Sequence, residues 1–268
     1  MSMEDTYWLP QTKGKALFDD LLWSKPEQRR LAGKLAVIGG NSHGFNSVSD
    51  CFVAASKAGA GVIRTLLPDS LSRSVSKIWP ESEFAPSTKI GSFSSKALND
   101  WLSLSDWADG ILISGDLTHN SETAILLERY LEKSTANLTL VGDAIDIVNS
   151  TPALILERHN LFLGCEISQL QKLLIGIRFP MAAKSDMALR QLVDLMHSVT
   201  LSYSFGLITV HDNQAYASLG GRVSTTPLPN VSACQAAASS AVWIMQQPSR
   251  PFEAMTTALF ELASSVRE

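Results

Sequence analysis

Gly40-Asn41-Ser42-His43-Gly44 has the form G-x-S-x-G, in which a serine on a sharp strand-to-helix turn is the nucleophile of a hydrolase. Asp143 and His211 follow in the chain order Ser, Asp, His that such a triad would use. The same stretch also reads as an anion site. Gly39 and Gly44 have the four-residue gap of a phosphate-binding G-x-x-x-x-G, and glycines at a helix N-terminus let backbone N–H groups approach a negative charge. The P-loop form fails at its end, because Phe45 and Asn46 stand where Lys and Ser/Thr are required. A dinucleotide fingerprint fails at its start, because Gly39 is followed by Gly40 and then Asn41. A tight turn without a ligand is the third reading. His43 is then either a ligand contact or an exposed turn residue. Asp143 and Asp146 follow an apolar run, where α/β proteins place functional groups, or they cap the segment that follows.

These residues need elements to position them. Leu35–Ile38 reads as a compact strand ahead of the glycines, Ser47–Ala58 as a small-residue helix and Val62–Leu67 as the next strand. Residues Thr6–Arg30 read as a polar helical lead-in, and Ser70–Leu104 as short helices and loops. Further strands are expected at Gly110–Ser114, Leu138–Val141 and Leu161–Leu163, with helices at Ser121–Lys133, Ile167–Leu174 and Asp186–Met196 and a short one at Ala153–Leu156 with Arg158. Gly206–Val210 and Gln214–Ala217 flank His-Asp-Asn as a hairpin. Ala233–Met245 and Pro251–Val266 are the closing helices, and the Ala/Ser face of Ala236–Ala241 suits either a close-packed core helix or a subunit interface. Strands alternating with helices predict a mainly parallel α/β sheet with a late antiparallel hairpin. With no repeat or linker, one domain is expected over residues 1–268. A hydrolase elbow normally follows several strands and an oxyanion loop, whereas no strand is evident before Leu35–Ile38.

A net charge of −4, a pI near 5.8 and the lack of a basic run speak against nucleic acid. No stretch approaches the ~20 apolar residues of a membrane span, and the N-terminus lacks the pattern of a signal peptide, so a cytoplasmic location is expected. Cys51, Cys165 and Cys234 have no metal spacing, and their odd number speaks against a disulfide framework; they read as core thiols. His119, His159, His197 and His211 are scattered without a metal pattern, and Trp101 and Trp107 read as packing residues.

Taken together, AVIGGNSHGF…AASKAGAGVIRTLLP resembles the opening of the NAD(P)H-hydrate dehydratase family. That family belongs to the ribokinase-like superfamily and repairs hydrated nicotinamide cofactors at the expense of ADP or ATP. Ile38-Gly39-Gly40-Asn41 resembles its strand and G-G-S, and Lys57-Ala-Gly-Ala-Gly-Val62 its R-x-G-A-G-L-V, with Gly59, Ala60 and Gly61 letting the helix end pack beneath the sheet. Asp109–Thr118 resembles the strand and G-P-G-L-G loop, Leu140–Asp146 resembles D-A-D-A-L-N, Asn160–Leu170 stands in the place of T-P-H-x-G-E, and Arg250–Ala254 resembles P-F-E-A. The likeness runs from about residue 30 to the end.

What the resemblance implies is a three-layer α/β/α ribokinase-like fold without the family's reacting groups. Its G-S-G-D opens a helix whose N–H groups hold the transferring phosphate, and its Asp is the base on the substrate hydroxyl. Counted back from Pro251-Phe-Glu-Ala254, that Asp falls at Gln235, which cannot accept a proton near neutral pH, while Ser232, Ala233 and Cys234 would crowd the phosphate with Cβ atoms. At G-P-G-L-G the glycines become Ser114, Asp116 and Thr118, and Asp116 sets a negative charge where the family receives an anion. The His and Glu of T-P-H-x-G-E are replaced. The leading expectation is a catalytically degenerate relative that acts as a binding or structural protein. A working ATP- or ADP-dependent NAD(P)H-hydrate dehydratase or small-molecule kinase, using Mg, is the alternative, and a serine hydrolase acting through Ser42 is the third. Ligand contacts are expected among Gly39, Gly40, Asn41, Ser42, His43, Ser114, Asp116, Asp143 and Ser232, with no metal site. A small-molecule or nucleotide ligand and a homo-oligomer are the expected partners.

Overall fold

A computed structural model describes residues 7–118, 120–156 and 158–265. Ten strands form one sheet: β1 Trp8–Pro10, β2 Lys34–Ile38, β3 Val62–Pro68, β4 Ser82–Ala85, β5 Gly110–Ile113, β6 Leu138–Val141, β7 Leu161–Cys165, β8 Gly206–His211, β9 Gln214–Leu219 and β10 Arg222–Pro227. The helices are α1 Asp19–Trp23, α2 Asn46–Lys57, α3 Ser72–Val75, α4 Leu98–Trp107, α5 Ser121–Lys133, α6 Asp143–Val148, α7 Ala153–Leu156, α8 Ile167–Gly176, α9 Leu189–Ser202, α10 Ala233–Gln246 and α11 Pro251–Ser265.

The sheet order is β1-β10-β9-β8-β7-β6-β5-β2-β3-β4. From β4 to β8 every neighbouring pair is parallel, and β8, β9 and β10 are joined antiparallel. Central strands β5, β6 and β7 are buried at every residue, as a parallel sheet covered on both faces requires. One face packs under α2, α10 and α11, the other under α4 to α9. This is the expected mainly parallel α/β architecture.

The close fit of α10 to the sheet has a residue-level cause. A Cβ at Gly164 on β7 would stand 2.4 Å from Ala237 Cβ and 2.7 Å from Val141 Cγ1. Only a small residue on each side lets the helix lie this near the strands, and Ala236–Ala241 are all buried. The Ala/Ser face of α10 is therefore core.

The N-terminal segment differs from the helical lead-in expected there; Thr6, like Val266 at the other end, lies outside the described residues. Only Asp19–Trp23 and a single turn at Arg29–Leu31 are helical, and Trp8–Pro10 forms an edge strand parallel to β10. The hairpin is likewise larger than expected, with β10 as a third antiparallel strand. Asp212 and Asn213 (φ 48° and 57°) turn β8 into β9, and Gly220 and Gly221 (φ 57° and 76°) turn β9 into β10, the left-handed pairs that two-residue hairpins use. The Gly59–Gly61 cluster serves the N-terminal segment rather than the sheet: a Cβ on Gly61 would stand 2.3 Å from Arg29 O and 2.6 Å from Gly33 O.

Candidate functional site

From β2 the chain builds outward to β3 and β4, then returns to the other side of β2 as β5. The crevice between the ends of β2 and β5 is thus the switch point at which open α/β sheets bind ligands. Residues 39–45 and 114–118 flank it. Gly39 faces Ser114 so closely that an added Cβ would stand 2.3 Å from Ser114 Oγ.

The two loops are joined across the crevice. Gly40 N–H donates to Gly115 O at 3.3 Å, and Asn41 Nδ2 donates to Asp116 O at 2.6 Å. The glycine loop is also closed on itself: Asn41 and Gly44 exchange backbone hydrogen bonds at 2.9 and 3.0 Å, and His43 N–H donates to Asn41 Oδ1 at 2.7 Å. The His43 side chain is exposed. Ser114 is buried, with its hydroxyl donating to Ile38 O at 3.3 Å.

Ser42 is engaged by the segment around Ile90. Its hydroxyl donates to Ile90 O and its N–H to Gly91 O, both at 3.0 Å. His211, the base a Ser42 triad would require, ends β8, four strands from β2 in the sheet, about 19 Å at normal strand spacing. The triad does not assemble.

Asp116 and Thr118 hold left-handed backbone, φ 61° and 59°. For a β-branched residue such as Thr118 this conformation is strained, and these are two of the positions where the resemblance sets glycine. The Asp116 carboxylate then reaches the start of α2 and accepts Ser47 N–H at 2.8 Å. Phe45, the residue preceding α2, makes no side-chain cap, so Asp116 supplies that cap from a different loop. Ser47 Oγ in turn accepts Gly115 N–H at 2.9 Å.

The start of α10 is also satisfied by the chain itself. Ser232 Oγ accepts Gln235 N–H at 3.2 Å, and Gln235 Oε1 accepts Ser232 N–H at 3.1 Å, a reciprocal capping box. Glu166, just past β7, accepts Ala233 N–H at 3.2 Å. Gln235 is thus a helix-capping residue whose carboxamide oxygen is occupied. Asp143 opens α6, a helix that follows Gly142 at φ 58°, and Asp146 pairs with Lys172 at 2.8 Å. Both aspartates lie in this short helix, whose six residues are too few to show a period in the sequence.

A cleft of about 580 Å³ runs along the outer face of α10, walled by α2 (Asp50, Val53, Lys57) and α11 (Ala258, Glu261, Leu262). Gln235 and Ser239 of α10 form its floor, and Asn230 and Val231 also line it. Lys25 closes it through an ion pair with Glu261 at 2.6 Å. None of the expected ligand contacts lines it, but Gln235, the residue counted to the position of the family's base, does. The floor residues lie on one helix, but the walls come from helices far apart in the chain.

No group of His, Cys, Asp or Glu among the described residues has the arrangement of a metal site. His119 lies outside the described residues. Trp101 is buried edge-to-face between Phe93 and Tyr130, and Trp107 lies under Arg64 at 4.1 Å, both packing roles. No helix among the described residues is long and apolar enough to cross a membrane.

The sequence matches no protein-family model and no curated protein. Solved structures do match. One is a ribokinase-like superfamily protein of Enterococcus faecalis V583, with TM-score 0.70 and 15% identity over 96% of this chain and 87% of that one. Another is the ADP/ATP-dependent NAD(P)H-hydrate dehydratase of Bacillus subtilis, co-crystallised with ATP/Mg²⁺ and soaked with CoA, with TM-score 0.65 and 10% identity over 95% of this chain and 89% of that one. A protein of Streptococcus mutans matches with TM-score 0.68 and 14% identity over 93% and 89%. Identities this low speak to architecture alone, and the architecture is that of the ribokinase-like α/β proteins.

Proposed function

We propose that this chain is a catalytically degenerate relative of the NAD(P)H-hydrate dehydratases that works by binding rather than by turnover. The observation that carries the reading is the occupancy of two helix starts by the chain's own carboxylates. Asp116 takes an N–H of α2 at 2.8 Å, and Glu166 takes one of α10 at 3.2 Å. A phosphate brought to either place would lose that N–H and meet a like charge. The residues present therefore do not fit nucleotide phosphates, and a phosphate-dependent reaction has no seat at either helix start. Gln235 supports the same reading, since an amide cannot serve as the base.

Binding has a place to occur. The cleft over α10 falls within the volume range of about 300–1,000 Å³ typical of small-molecule sites, and its lining mixes apolar side chains with Asp50, Lys57 and Gln235. The test is thermal unfolding of the full chain with ATP·Mg and ADP·Mg, together with an assay for dehydration of hydrated NADH. Neither nucleotide should raise the melting temperature, and turnover should not exceed background. Stabilisation approaching about 2.7 kcal/mol at a hundredfold excess over a dissociation constant, or efficient turnover, would overturn the reading in favour of the working enzyme.

A further inference from the structure

Where α2 and α10 pack together, Cys51 on α2 meets Cys234 in the first turn of α10. Their sulfurs are 2.8 Å apart, against about 2.05 Å in a disulfide. Cys51 is closed to solvent and Cys234 is only half-buried, so an external reagent meets Cys234 first.

The surroundings set the two thiols apart. The hydrogen bond with Cys51, with help from the Ser47 hydroxyl 4.0 Å away, holds the Cys234 thiol below its ordinary value. Burial and the carboxylates of Asp50 and Asp116 oppose that shift without reversing it. The same hydrogen bond, followed by burial, pushes Cys51 well above its ordinary value, so it keeps its proton. Cys165 offers an internal contrast. It is wholly buried, and its thiol is pushed up by desolvation.

We propose that Cys234 and Cys51 form a thiol–disulfide couple, with Cys234 as the sulfur oxidised by a hydroperoxide and Cys51 as the sulfur that resolves it. The Cys234 thiolate attacks one peroxide oxygen, the O–O bond breaks, and the departing alkoxide or hydroxide takes up the proton that Cys234 released. Cys234 is then a sulfenic acid. The Cys51 sulfur attacks the Cys234 sulfur, the S–S bond forms, the S–O bond breaks, and the hydroxyl leaves as water with the Cys51 proton. Two thiols lose two electrons, and the peroxide accepts them. The cross-link joins the helix that walls the cleft to the helix that floors it, next to Gln235, so the cleft takes a different rigidity in the oxidised protein.

The experiment titrates the full chain with hydrogen peroxide, then unfolds it, labels free thiols with a maleimide and maps the peptides by mass. Two of the three thiols should disappear together, in a peptide pair joining residues 51 and 234, and a dithiol reductant should restore both. Oxidation should raise the melting temperature by several degrees, because the bond closes a long loop. Cys51→Ser should leave a sulfenic acid at Cys234 that a dimedone-type reagent traps. Should that variant fail to fold, the mapping of the wild-type chain decides alone. Retention of all three thiols at peroxide levels that oxidise a free small-molecule thiol would overturn the proposal, as would loss of Cys165 ahead of Cys234.

Discussion

Asp116 combines an unfavourable backbone conformation with a favourable contact, and three substitutions separate the two. Its φ of 61° is left-handed, and its carboxylate accepts the Ser47 N–H at 2.8 Å. Asp116→Asn keeps an acceptor and a side chain that tolerates this conformation. It forfeits only the charge's interaction with the helix start, about 0.3–1 kcal/mol. Asp116→Ala loses the cap, about 0.5–2 kcal/mol, and retains a Cβ at positive φ. Asp116→Gly loses the same cap but releases backbone strain of about 1 kcal/mol, so its net cost is near zero to ~1 kcal/mol. Alanine should therefore be the least stable of the three, with glycine and asparagine close to wild type. Urea denaturation with equal m-values measures this. The glycine variant also bares the α2 N-terminus, so millimolar inorganic phosphate should stabilise it more than it stabilises wild type. An alanine variant as stable as the glycine variant would refute the strained-loop argument. Equal stabilisation of wild type by phosphate would refute the claim that the carboxylate excludes anions.

Gly164→Ala should cost about 1–3 kcal/mol through overpacking, since its Cβ would press on Ala237 and Val141. Ala237→Gly alone should also cost about 1 kcal/mol or more, yet the double variant should be more stable than the sum of the singles predicts. Additivity within about 0.5 kcal/mol in a denaturation cycle would show that the two positions do not touch. Burial disfavours the Glu253 carboxylate, but the Arg222 guanidinium donating at 2.8 Å, with a backbone N–H and the charge of Arg250, outweighs that and lowers its pKa from 4.5. A depressed carboxylate contributes stability above its unfolded value and loses it as pH falls through the lower folded value. Stability below about pH 4.5 should therefore fall more steeply in wild type than in Glu253→Gln, and parallel acid-denaturation curves would contradict this.

Helix α5 and strand β6 can be delimited from local pattern alone, because an amphipathic period with acid in the first turn, or a short apolar run, carries its own signal. The glycine loop between β2 and α2 is legible for the same reason, as is the order of strands and helices that makes the sheet mainly parallel. Strands β1, β4 and β10 are not. The first two are short edge pieces, and β10 buries Ser224, Thr225 and Thr226, which look like loop residues until their partners arrive. Gln11 Nε2 donates to Thr226 Oγ1 at 2.8 Å, and Ser224 pairs with Thr256 at 2.7 Å. Such a strand exists only because distant side chains satisfy its polar groups in the core. The candidate site divides in the same way. From the sequence alone come the residue types: glycines at a helix start, an amide at Gln235 and a carboxylate at Asp116. Which N–H each carboxylate takes, and that Cys51 and Cys234 touch, depend on contacts 69, 67 and 183 residues apart in the chain. Periodicity and propensity report on neighbours within a few turns of chain, so pairings across such separations are decided only when the sheet brings the ends of β2, β5, β7 and the start of α10 to one edge.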